Sequence, residues 1–214
     1  ILFSIFLFNS KLSKYKPKFS DINIRHAWPL FNLGFRFYII QILFLIISNS
    51  SLLIVTQFFG PSDVTVFNLG LQYMTLGSMV FMLMINPYLA AFTESYTKND
   101  FKWIKLTFKK INIILTLCSV LTIGLILVSD LFFYYWTGDK ISIPKNLIIS
   151  FCLYAILNMI VSAYSLFLNA IAKIKIQIYL LTIQAILFLP LSYLFYINEY
   201  GLKSIVIVQI LGSA

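Results

Sequence analysis

Long hydrophobic runs make up this chain, and its cations fall in every second gap between them. Residues 9–29 carry Lys11, Lys14, Lys16, Lys18 and Arg25, while residues 58–63 carry no cation. Residues 94–110 carry Lys98, Lys102, Lys105, Lys109 and Lys110, whereas 129–145 carry only Lys140 and Lys145. Lys173 and Lys175 fill the gap after Ala172, and Lys203 alone marks the last gap, 198–203. One set of alternate gaps thus holds twelve of the sixteen Lys and Arg residues and the other set three, with Arg36 inside a run. Repeated crossing of a bilayer, with the cationic loops kept in the cytoplasm, produces this asymmetry.

Composition agrees. Charged residues make up only 11% of the chain and hydrophobic residues 60%, whereas soluble domains average about a quarter charged. Several runs reach the ~20 apolar residues that span a hydrocarbon layer, without an internal charge. A net charge of +9 would otherwise point to nucleic acid. No aromatic-plus-basic motif for bases accompanies it, so no nucleic-acid partner is expected. Cations confined to one side attract anionic membrane lipids and fix topology instead. Cys118 and Cys152 fall inside runs and read as small hydrophobes. With no CxxC, HExxH or Cys/His cluster, and with His26 alone in a basic loop, neither a metal site nor a cofactor is expected.

The runs predict five complete spans, about 30–57, 64–93, 111–128, 146–171 and 176–197, and a truncated one at 204–214. The opening run, 1–8, covers about 12 Å as a helix, against ~30 Å of hydrocarbon. It reads as the end of a span cut off upstream, and the chain as a piece of a longer protein. Lipid offers backbone N–H and C=O groups no partners, which leaves helices or a closed barrel. The ~10-residue alternation of a barrel is absent. The expected fold is an all-α polytopic transmembrane helical bundle. Residues 1–29 form the truncated helix end plus a basic cytoplasmic link, and 30–214 the transmembrane part. Gly60-Pro61-Ser62-Asp63 marks a tight break, with Ser62 or Asp63 expected to cap the next helix. Trp28, Trp103, Phe132, Trp136 and Tyr196 gather at run ends, where amphipathic rings favour the headgroup level.

Polar residues within lipid are costly unless they face a partner or a wet cavity, so their helical phase is informative. In the second span Thr65, Asn68, Gln72 and Thr75 recur at steps of three and four, continued by Met79, Met82 and Asn86. The fourth span repeats the spacing with Asn158, Ser162, Ser165 and Asn169, and the fifth holds Gln177 and Gln184 two turns apart. Such stripes either line a hydrophilic passage or form interhelical hydrogen bonds worth roughly 0.6–2 kcal/mol each. Arg36 lies about 10 Å past Pro29 along a helix, with Asn32 four residues earlier. It either snorkels to the cytoplasmic headgroups or binds an anion at a cavity mouth, where its fork suits a phosphate. No carboxylate lies inside a complete span to neutralise it. Pro87 and Pro190 interrupt spans and are candidate hinges, because each frees a backbone carbonyl and bends its helix.

Five segments carry a resemblance: LGFRFYIIQ at 33–41, QFFGP at 57–61, NPYLAAFTESY at 86–96, KNDF at 98–101 and WTGD at 136–139. In order and spacing they resemble bacterial O-antigen and polysaccharide flippases of the multidrug/oligosaccharidyl-lipid/polysaccharide exporter superfamily. The resemblance covers nearly the whole chain from Pro29 onward. It implies two six-helix lobes around a central cavity, with this chain as most of the second lobe and the missing N-terminal lobe as its partner. It implies an undecaprenyl-diphosphate-linked oligosaccharide as substrate, flipped across the cell inner membrane by alternating access in lipopolysaccharide or other polysaccharide biosynthesis. A polysaccharide polymerase is a further partner that the pathway implies. A cationic cavity for the diphosphate is a family feature, and Arg36 is the residue here that matches it.

Transport needs no covalent chemistry, and no residues are arranged for it, so a transporter rather than an enzyme is expected. A multidrug/cation antiporter of the same fold is the nearest alternative. It calls for a coupling carboxylate that these spans lack. A membrane polymerase or acyltransferase calls for a large outer loop or a His/Asp/Arg constellation, and residues 129–145 supply neither.

Overall fold

The computed structural model describes residues 24–138, 141–197 and 201–213. Among them are seven helices and no strand: α1 Ile24–Phe58, α2 Pro61–Ile85, α3 Tyr88–Thr97, α4 Phe101–Thr137, α5 Lys145–Ala170, α6 Lys175–Ile197 and α7 Lys203–Ser213. Five of these, α1, α2, α4, α5 and α6, are long and apolar enough to cross a membrane. The protein is an all-α, multi-pass membrane bundle. The expected link and truncated helix end fall mostly in 1–23, outside the described residues.

Contacts divide the chain into two units, Ile1–Phe35 and Arg36–Ala214. In the first, the described part is the opening of α1, where Trp28, Phe31 and Phe35 stack in sequence along the helix. The second holds the rest of α1 and all the other helices.

Helix boundaries follow local chemistry. Gly60 adopts φ 98°, a conformation glycine tolerates without strain, and turns the chain out of α1. Pro61 then opens α2 at its first position, where its fixed φ suits the helix and its missing N–H leaves nothing unsatisfied. The expected Ser62 or Asp63 cap does not form: Gly60 is the capping residue and no side chain caps the helix. Asp63 still lies in the first turn, facing the positive end of the helix dipole. α4 has a side-chain cap that sequence reasoning did not assign, because the Asp100 carboxylate accepts the Trp103 N–H at 2.9 Å.

Two expected spans differ in extent from the helices that contain them. The second span, 64–93, is broken in two. α2 ends at Ile85, and Asn86 and Pro87 keep right-handed helical dihedrals (φ −53° and −59°) as the chain passes into α3. Pro87 cannot donate to the carbonyl four residues back, so the helix ladder is interrupted there. The third span, 111–128, underestimates α4. Its 37 residues rise about 55 Å, well beyond the ~30 Å of hydrocarbon. The stretch 101–110 is the first turns of α4 rather than a loop.

Packing within the second unit forms two cores. One gathers Val55, Phe67, Met74, Leu147, Phe151, Phe188 and Val206 from α1, α2, α5, α6 and α7. The other gathers Phe81, Ile85, Phe92, Ile111, Met159 and Leu166 from α2 to α5. α5 is the hub, packing against α2, α3, α4 and α7. In lipid, burying apolar surface gives helices little reason to associate, so close approach and hydrogen bonds must hold them. Gly77 lets α2 approach α4 so closely that a Cβ there would run into the Thr122 hydroxyl. Gly70 does the same towards α5, where a Cβ would meet the Phe151 ring at 2.9 Å. Side chains of α2 then reach its neighbours' backbones. The Tyr73 hydroxyl donates to the Leu125 carbonyl at 2.9 Å, and the Ser78 hydroxyl to the Ala155 carbonyl at 3.2 Å.

Candidate substrate passage

α2 presents two opposite characters. Its packed face carries Phe67, Gly70, Met74, Phe81 and Ile85, all buried. Its polar row lies on the other side: Thr65, Gln72, Met79 and Asn86 are exposed, and Asn68 and Thr75 are half-buried. The amides of Gln72 and Asn68 meet along the helix, Gln72 Nε2 donating to Asn68 Oδ1 at 3.3 Å. Thr75 Oγ1 donates to the Gln72 carbonyl at 3.0 Å. Asn68, Gln72 and Thr75 therefore form one connected strip whose hydrogen bonds stay within α2. None reaches a neighbouring helix, unlike Tyr73 and Ser78 on the packed side.

The row on α5 is less open. Asn158, Ser162, Ser165 and Asn169 are all half-buried. Asn158 Nδ2 turns back to the Tyr154 carbonyl at 3.4 Å. The Ser165 carbonyl accepts Gln177 Nε2 of α6 at 3.2 Å, so Gln177 ties two helices together. Asn169 Oδ1 is buried without a hydrogen-bond partner. At the next residue, Thr93 Oγ1 of α3 donates to the Ala170 carbonyl at 3.0 Å and secures the end of α5.

Gln184 sits at the α6–α7 seam. A Cβ on Gly212 would meet its Cγ and Nε2 at 2.6 Å, so the amide packs over the glycine. Arg36 is half-exposed and opens the second unit. It has no ion-pair partner among the described residues. Asn32 is exposed and belongs to the first unit. Of the hinge candidates, Pro87 stands at the break between α2 and α3, whereas Pro190 lies inside α6, which continues to Ile197. Among the described residues no group of His, Cys, Asp or Glu is placed to hold a metal ion.

No protein-family model, curated protein or solved structure matches the chain. An exposed strip of amides and hydroxyls running through apolar helix surface offers hydrogen bonds to a polar solute. Sequence reasoning passed over four polar residues that matter to packing: Ser51, Tyr73, Ser78 and Gln209. Their partners lie on other helices, far away in sequence, which helical spacing by itself does not show.

Proposed function

We propose that the chain is part of a flippase that moves an undecaprenyl-diphosphate-linked oligosaccharide, the repeat unit of O-antigen or another polysaccharide, across the bacterial cytoplasmic membrane. The exposed polar row on α2 carries this reading. Amides at the lipid surface are costly, so Asn68, Gln72 and Thr75 call for water or a second protein wall opposite them. A second lobe facing α2 would supply that wall and enclose a hydrated passage. Sugar hydroxyls would exchange hydrogen bonds with the row while the lipid tail stays in the bilayer. Arg36 adds the fork-shaped cation that suits a diphosphate. Pro87, at the junction of α2 and α3, offers a point about which α2 flexes as access alternates. The loose sequence resemblance to polysaccharide flippases points the same way.

The test is made in the full-length protein, in a strain that depends on it for surface polysaccharide. Arg36→Ala and Gln72→Leu should each lower surface polysaccharide and accumulate its lipid-linked precursor, with the protein present at normal levels in the membrane. Wild-type polysaccharide in both variants would refute the reading.

A further inference from the structure

A third polar row runs down α4. Lys102, Lys105 and Lys109 are spaced by three and four residues, so they stack on one face of its first turns. All three are exposed, while Ile104, Thr107 and Ile111 on the opposite face are buried. Nearby Lys98 is neutralised by Glu94. Lys102, Lys105 and Lys109 make no ion pair among the described residues. The nearest carboxylate in sequence, Asp100, is turned to the Trp103 amide.

Below the lysines the same face continues as Asn112 and Thr116, both exposed. Immediately beside it runs an exposed apolar strip: Ile113 is 62% exposed, Leu117 59% and Val120 62%. From Lys109 to Val120 the helix rises about 16 Å, close to half of the ~30 Å hydrocarbon thickness. The surface therefore offers three unpaired cations at one end, an amide just below them, and one leaflet's depth of apolar side chains.

We infer that this face of α4 binds an anionic phospholipid of the surrounding bilayer. The headgroup phosphate lies on Lys102, Lys105 and Lys109, and one acyl chain runs along Ile113, Leu117 and Val120. Charge complementarity selects the occupant. A phosphate meets three ammonium groups with no competing carboxylate paired to them, in a zone where each lysine adds about fivefold to anionic-lipid binding. The Asn112 amide is placed one turn deeper, at the depth where a lipid's glycerol ester oxygens can accept its hydrogen bonds. The inference is independent of the transported substrate.

Native mass spectrometry of the full chain in detergent, with phosphatidylglycerol or phosphatidylcholine added, tests it. The protein should retain phosphatidylglycerol preferentially. A triple variant Lys102→Gln, Lys105→Gln, Lys109→Gln should lose at least about tenfold in that preference. The double variant Lys173→Gln, Lys175→Gln should keep it, and circular dichroism should show both variants folded. Equal retention of the two lipids by the wild-type chain, or an unchanged preference in the triple variant, overturns the inference. Self-association lost in the triple variant with lipid retention unchanged assigns the face to a second copy of the chain, and overturns it equally.

Discussion

Gln209 of α7 donates to the Ser51 hydroxyl of α1 at 2.7 Å, joining residues 158 positions apart. Both are buried, with Gln209 3% and Ser51 1% exposed. Ser51 Oγ also reaches the Ile47 carbonyl one turn back at 3.1 Å. Gln209 Oε1 has no partner, so half of this amide is stabilised and half is not. Ser51→Ala leaves the whole amide orphaned and should destabilise the bundle by about 1–2 kcal/mol. Gln209→Leu removes the unpaired carbonyl together with the donor and should cost less. Thermal unfolding in detergent, followed by tryptophan fluorescence, would show the difference. A lower midpoint for Gln209→Leu than for Ser51→Ala would contradict the account.

Gly77 and Thr122 form the closest approach of α2 to α4, with the Met159 Cε of α5 at 3.2 Å from the position a Cβ would take. Thr122 is fully buried and its hydroxyl donates to the Cys118 carbonyl at 2.8 Å. Gly77→Ala should therefore destabilise by about 1–3 kcal/mol through overpacking. Combining it with Thr122→Ala removes the hydroxyl that the new methyl meets and should restore part of the loss. A double variant whose unfolding midpoint is the sum of the two single losses would show the residues to be uncoupled.

Glu94 and Lys98 pair across one turn at the end of α3, outside the spanning helices. The hydrogen bond and charge of Lys98 hold the Glu94 carboxyl below its ordinary pKa, and Glu94 in turn raises that of Lys98. A lowered acid pKa stabilises the folded state above the unfolded value, and that contribution is lost as pH falls through the lowered one. The raised lysine pKa acts oppositely, its share disappearing as pH rises through the raised value. The pair should thus help α3 only between these limits. Carbon-detected NMR titration of Glu94 should give a midpoint below that of a free glutamate, returning to the ordinary value in Lys98→Gln. An unshifted Glu94 in the wild-type chain would dismiss the pairing.

Five helices long and apolar enough to cross the membrane should place the connections between them, taken in order, on alternate faces. Ser62 at the start of α2 and Gly138 after α4 should lie on one face, and Lys98 and Lys173 on the other. Ser62→Cys, Gly138→Cys, Lys98→Cys and Lys173→Cys, each in a background lacking Cys118 and Cys152, can be labelled with a membrane-impermeant maleimide on intact cells. The first two should react and the last two should react only after lysis. Labelling of Lys98→Cys and Ser62→Cys from the same face would break the threading.

Hydropathy located the membrane helices because transfer into lipid depends on each residue's own polarity. α5 and α6 begin within one residue of the expected 146 and 176 for that reason. It read the embedded part of α4 rather than the helix, since Lys102, Lys105 and Lys109 are polar yet remain in an unbroken hydrogen-bonded ladder anchored by Asp100. The row Thr65, Asn68, Gln72 and Thr75 was legible because an α-helix turns every 3.6 residues whatever surrounds it. Its exposure was not legible, because that depends on which face α4 and α5 occupy. Gly70, Gly77, Tyr73 and Ser78 decide this through contacts with Phe151, Thr122, Leu125 and Ala155. The amino-acid order alone thus determined an all-helical membrane bundle and the phase of its polar rows, both of which follow from local polarity and backbone geometry. Only the tertiary structure decided that Gln177 and Gln184 serve helix seams while the α2 row stays open, because a polar side chain's fate depends on partners distant in sequence.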